Sequence, residues 1–137
     1  MANTLYDSAR ESFLGADIDW LADNIKVCLV EGYTPDAAAH DFLDDVEGGG
    51  GGTIVATSAN LSTKTATDGV ADAADVTLSE VPSGDACAHL VIYKDTGSAA
   101  TSNLIAVIDT ATGLPLTPNG GDVTIAWDSS ANKIFKL

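Results

Sequence analysis

Ala86-Cys87-Ala88-His89-Leu90-Val91-Ile92-Tyr93, followed after a polar break by Leu104-Ile105-Ala106-Val107-Ile108, decides the fold of this chain. A half-buried strand alternates apolar and polar residues, whereas these two segments are nearly apolar on both faces. They read as the central strands of a core that is covered on two sides. Ile25-Lys26-Val27-Cys28-Leu29-Val30 has the same texture and reads as a third confident strand.

Working outward, further short strands are expected at Ile54 to Ala56, Leu61 to Ala66, Ala74 to Val81, Val123 to Trp127 and Ile134 to Leu137. Asp68-Gly69, Ser83-Gly84, Asp95-Thr96-Gly97, Thr112-Gly113 and Asn119-Gly120-Gly121 supply the corner residues, since glycine and the short polar side chains tolerate positive φ. Val123, Ile125 and Trp127 share one face. With the polar connection Asp128 to Asn132 and the return Lys133 to Leu137, they read as a β-hairpin that runs to the last residue. Many short strands at regular spacing predict a mainly β fold, an antiparallel β-sandwich or a partly open β-barrel, with a short N-terminal helix.

That helix is expected over residues 4 to 14, with Leu5, Tyr6, Ala9, Phe13 and Leu14 on one side and Gly15 ending it. Ser8 and Glu11 have capping-box spacing, and Thr4 and Asp7 are rival starts. Residues 1 to 24 thus read as a helical or extended arm, and residues 25 to 137 as the β domain of a single-domain chain. Asp36 to Val46 offers a helical turn or two anchored by Phe42, Leu43 and Val46. The five glycines from Gly48 to Gly52 read as a flexible loop, because no side chain restricts their backbone.

The chain has 137 residues, enough for one core without a metal or a disulfide. Cys28 and Cys87 both lie in apolar runs and are expected as buried, reduced thiols. The start lacks the basic and apolar segments of a secretory signal, and no window approaches the length of a membrane span. Synthesis in the cytoplasm and no membrane partner follow as expectations. The net charge of −14 opposes contact with nucleic acid phosphates. It suits solubility or a basic partner surface.

Groups able to carry chemistry are sparse. His40 sits among acids, and His89 falls within a central strand, where a packed histidine is the simpler reading. Asp95-Thr96-Gly97 after an apolar strand has the look of an aspartic protease loop, but Lys94 stands where that family expects an apolar residue, and the tripeptide is also an ordinary turn. Asp41, Asp44, Asp45 and Glu47, or Asp17, Asp19 and Asp23, lack the spacing of a calcium loop. The glycine run lacks the Lys-Ser/Thr of a phosphate loop. No catalytic, cofactor or metal residue is therefore expected.

Four segments together resemble small virion structural proteins of tailed bacteriophages: Ala2 to Leu14 with Ile18-Asp19-Trp20; Val55-Ala56-Thr57-Ser58-Ala59-Asn60-Leu61; Leu90 to Gly97; and Leu104 to Thr110 followed by Gly113-Leu114-Pro115. The ending from Pro118 is similar as well. The resemblance implies a capsid decoration (cement) or minor head protein, on the outer surface of the head, that bridges capsomers. Its implied partners are the major capsid protein and other copies of itself, trimers included. A tail or baseplate component and a carbohydrate-binding β module are the alternatives. Leu5, Tyr6, Phe13 and Trp20, apolar residues in an acidic region, are the candidate protein-interface residues; sealing the end of the sheet is the competing role for them.

Overall fold

The computed structural model describes residues 3–137. Its centre is a five-stranded antiparallel sheet built from β1 (Thr4–Leu5), β2 (Ile25–Glu31), β3 (Thr53–Thr57), β6 (Cys87–Lys94) and β7 (Leu104–Ile108). The strands lie in the order β1-β7-β6-β2-β3. Two two-stranded ribbons accompany the sheet: β4 (Val70–Ala71) with β9 (Phe135–Lys136), and β5 (Val76–Leu78) with β8 (Val123–Ile125). The fold is mainly β and the sheet is open, so no barrel closes.

The apolar pattern explains the layering. Along β2 and β6, side chains point alternately to opposite faces. Ile25, Val27, Leu29, Leu90 and Ile92 enter the cluster that the ribbons cover, with Leu78, Ile125 and Phe135 packed there. Cys28, Val30, Val91 and Tyr93 enter the cluster on the other face, beneath Tyr6, Ala9 and Val46. Ala9 belongs to α1 (Asp7–Leu14) and Val46 to α2 (Leu43–Glu47). All five residues of β7 are buried. A register shift opposite Ile92 and Tyr93 makes Ile105 the extra residue of a bulge, so Leu104 and Ala106 still meet opposite faces. Each fully buried aliphatic side chain in this core contributes roughly 1.5–3 kcal/mol.

Both thiols are free and buried, and they lie in different clusters, Cys28 under the helices and Cys87 under the ribbons. Burial pushes the Cys28 thiol up to about 12.

Several expectations need correction. Val123 to Trp127 and Lys133 to Leu137 do not form a hairpin with each other. β8 pairs with β5, Thr77 opposite Thr124, and β9 pairs with β4. The Trp127 N–H is taken by Asp75 at 2.9 Å, 52 residues earlier in the chain. Leu61 to Ala66 is not a strand; it contributes only a bridge between Thr65 and Asp72. The first helix starts at Asp7, because Thr4 and Leu5 instead join the sheet edge against Val107 and Ala106. Neither Ser8 nor Thr4 caps it. The Asp7 N–H is satisfied by the carbonyl of Ala37 at 2.9 Å, a tertiary substitute for a cap. The region expected as an arm is thereby tied into the fold at both β1 and α1.

The five glycines are held by the rest of the chain. Gly50 N–H donates to the Asp45 carbonyl at 2.8 Å, Gly52 N–H to Val46 at 2.8 Å, and Thr34 N–H to Gly50 at 2.9 Å. They form a turn that closes α2 and lies on the ring of Tyr33. Asp45 secures the other end of α2, accepting the N–H groups of Asp41 at 2.8 Å and Phe42 at 3.0 Å through one carboxylate oxygen.

Candidate interaction surface

The loop after α1 and the β4–β9 ribbon form a shallow groove at one end of the molecule. Phe13, Ile18, Trp20, Ala71 and Phe135 make its floor and walls, and Asp19, Leu21 and Leu137 its rim. The floor is rigid. Trp20 meets Phe135 edge-on at 5.3 Å, Phe13 lies 5.9 Å from the same ring, and the indole N–H of Trp20 donates to the Asp72 carbonyl at 3.3 Å. The loop itself is fixed by acids: Asp19 accepts the N–H groups of Leu21 and Ala22, and Asp23 accepts that of Asp19.

Of the expected interface residues, Leu5, Tyr6 and Trp20 are buried, and Phe13 is half-buried against both clusters. Leu5 sits in the sheet. Tyr6 is fully enclosed and hydrogen-bonded to Tyr33, 2.7 Å between hydroxyls. Only Phe13 and Trp20 reach the groove. The side chains that remain outside are different: Leu14 is 91% exposed, Leu21 55% and Leu137 59%. Leu21 and Leu137 line the groove; Leu14, the last residue of α1, is not among its lining residues and faces solvent, although the sequence placed it beside Phe13 on the helix's apolar side. Sequence reasoning named none of the three as an interface residue.

Among the described residues, lysine or arginine ion pairs join Arg10 to Asp7, Lys26 to Asp95, Lys94 to Asp23 and Lys133 to Asp72. The net charge of −14 gives the chain a negative field that favours a positively charged partner and disfavours an acidic one.

The other candidate groups have structural tasks. Asp95 bonds Lys26 at 2.7 Å and accepts the Gly97 N–H at 3.0 Å, as the first residue of a tight turn. The Lys26 ammonium, then the Gly97 amide, hold its carboxyl below the usual 3.8. Asp45 is held below that value too, first by the Phe42 amide. The folded state thus binds fewer protons than the unfolded chain in this range, so stability present above pH 3.8 is lost as pH falls further. The urea midpoint is expected to drop on acidification below about pH 4, and Asp95→Asn to flatten that drop.

His40 is buried, and its Nδ1 receives the Asp36 N–H at 3.2 Å, which fixes Nδ1 as an acceptor. Tyr33 therefore donates its hydroxyl proton to the same nitrogen at 3.0 Å and accepts from Tyr6. His89 packs edge-on against Tyr33 at 5.7 Å. Among the described residues, no three His, Cys, Asp or Glu side chains converge as metal ligands. No described helix is long and apolar enough to cross a membrane. A wider cleft of about 770 Å³ opens between the sheet and β8, floored by Leu29, Leu90 and Ile108 and walled by Trp127, whose indole N–H is taken by the Ala74 carbonyl.

No protein-family model matches the chain, and no curated protein matches it.

Proposed function

We propose that this chain is a structural protein of a tailed-phage particle, bound to the outside of the head as a decoration protein that bridges capsomers, and that the groove of Phe13, Trp20 and Phe135 is its capsid contact. The observation that carries the contact is the placing of two exposed leucines: Leu21 and Leu137 rim one apolar, aromatic-floored groove. Buried aromatic anchors inside an apolar patch are what an interface uses, and they are costly to leave facing water. The apolar groove and the chain's net charge of −14 favour a partner that is apolar at the centre of contact and basic beyond it. The sequence resemblance supplies the particle context. A small contact suffices there, because many copies on a repeating shell and bridging of neighbouring subunits turn weak sites into durable attachment.

Co-sedimentation with undecorated heads of the phage encoding the chain tests this. The native protein is expected to pellet with heads. Leu21→Ser and Leu137→Ser combined are expected to weaken binding at least tenfold, as roughly 1.4 kcal/mol lost across two contacts requires. Their melting temperature should stay close to the native value, since surface substitutions move stability by about 0.5 kcal/mol or less each. Native protein that stays in the supernatant would overturn the reading. A double variant that pellets undiminished would move the contact elsewhere.

A further inference from the structure

We propose that the wide cleft beside β8 is a binding site for an extended segment of another protein, which adds to the free edge of β8 as a strand and seats alternate apolar side chains on the central sheet. The site lies apart from the groove of Phe13 and Trp20, and its occupation requires no particle. The edges of the central sheet itself are less open. β1 has only two residues, and at β3 the Ile54 N–H is already taken by Glu47 at 3.2 Å.

The cleft runs along the edge of β8. All of residues 122 to 128 line it, although neighbouring side chains of a strand point to opposite faces. β8 pairs only with β5. Backbone amides alternate from side to side as well. The Trp127 N–H points to Asp75, the residue before β5, so the amides of Val123 and Ile125 face β5 and those of Thr124 and Ala126 face away from it. Among the described residues, nothing hydrogen-bonds the backbone of Thr124 or Ala126 on that outer side. Such a row of unpaired groups is a template for a further strand. The edge is also held in place, because Trp127 is fixed through its backbone N–H to Asp75 and through its indole N–H to the Ala74 carbonyl.

The chemistry of the occupant follows from what surrounds that edge. Leu29, Leu90 and Ile108 of the central sheet form the floor of the cleft, and Leu114, Leu116 and Ile134 line it as well. A strand laid against β8 turns every second side chain toward this floor, so those positions are apolar. Main-chain hydrogen bonds then supply affinity and the floor supplies selection. Val123 to Trp127 carry no charge, and Asp122 and Asp128 stand at the two ends of the edge. Lys133, which also lines the cleft, is already paired with Asp72 at 3.4 Å. In a chain of net charge −14, the site therefore favours a segment that is neutral through its middle and carries lysine or arginine toward its ends.

A displayed library of short random peptides, selected on the full chain, supplies the probe. The recovered peptides are expected to alternate apolar residues, to carry lysine or arginine and to lack aspartate and glutamate. In hydrogen exchange followed by NMR, the Thr124 and Ala126 amides should exchange freely in the chain alone and become protected when a recovered peptide, made synthetically, is added. N-methylation of that peptide at the alternate positions whose N–H meets β8 should weaken binding at least about tenfold, whereas methylation at the intervening positions should change it far less. Thr124→Pro removes an outward N–H that the ladder to β5 does not use, so it should lose the peptide at a melting temperature near the native one. Should that variant lose stability, the methylation pattern still decides. No enriched peptide, peptides without alternation, Thr124 and Ala126 amides left unprotected, or methylation effects indifferent to position would each overturn the proposal. Amides protected in the chain alone, and more so at higher concentration, would make a second copy the occupant and overturn it equally.

Discussion

Gly50→Ala is expected to destabilise the fold by about 3 kcal/mol, the upper end of the range for forcing a group into packed space. A Cβ at this position would lie 2.2 Å from Cε1 and 2.5 Å from Cδ1 of Tyr33, and 2.9 Å from the Val46 carbonyl oxygen. Neither side can yield cheaply. Tyr33 is buried and committed through its hydroxyl to Tyr6 and His40, and the Val46 carbonyl is committed to the Gly52 N–H. Gly51 is the control. It has φ of +66° and nothing within 4 Å of the place an alanine methyl would take, so alanine there should cost only the left-handed backbone penalty, about 1–2 kcal/mol. Thermal melts of the two variants should therefore separate, Gly50→Ala falling by roughly 10 °C and Gly51→Ala by about one-third to two-thirds of that. Equal shifts would mean that the glycines serve as slack, not as a seat for Tyr33.

Trp20→Ala is expected to cost about 3–4 kcal/mol, within the usual range for truncating a buried aromatic residue. The indole is 5% exposed, packs edge-on against Phe135 and donates to the Asp72 carbonyl. Removing it opens the floor of the groove, leaves that carbonyl without this donor and loosens the β4–β9 ribbon at once. Leu21→Ser, one residue away, should leave the urea midpoint almost unchanged, because that side chain is already in water. The contrast separates the two roles of the amino-terminal region. Trp20 holds the surface together, and Leu21 is what the surface presents. Comparable losses at both positions would mean that Leu21 belongs to the core.

The central layer was legible because its strands are apolar on both faces, a pattern a chain of this size satisfies only by covering a sheet twice. Ile25 to Val30, Ala86 to Tyr93 and Leu104 to Ile108 were recognisable for that reason, and they are the three middle strands. Pairing was not legible beyond them. Alternation along Val123 to Ile125 reveals which face is buried but not which strand lies alongside, and the partner proved to be Val76 to Leu78. The glycine run misled in a different way. Composition reports freedom of the isolated backbone, whereas Tyr33, distant in sequence, makes glycine a steric requirement at position 50. Of the four residues that the sequence offered as an interface, Phe13 and Trp20 border the groove, while Leu5 and Tyr6 are consumed by the sheet edge and the core. Leu21 looks no different in sequence, and only the path of the loop after α1 turns it outward.

The most direct measurement of the proposed role is a cryo-microscopy reconstruction of tailed-phage particles produced with this chain. If the proposal holds, density for the fold is expected at many equivalent positions on the outer surface of the head, with the Leu21 and Leu137 end against the shell. A head surface without that density, or the fold found on the tail instead, would contradict a role in decorating the capsid.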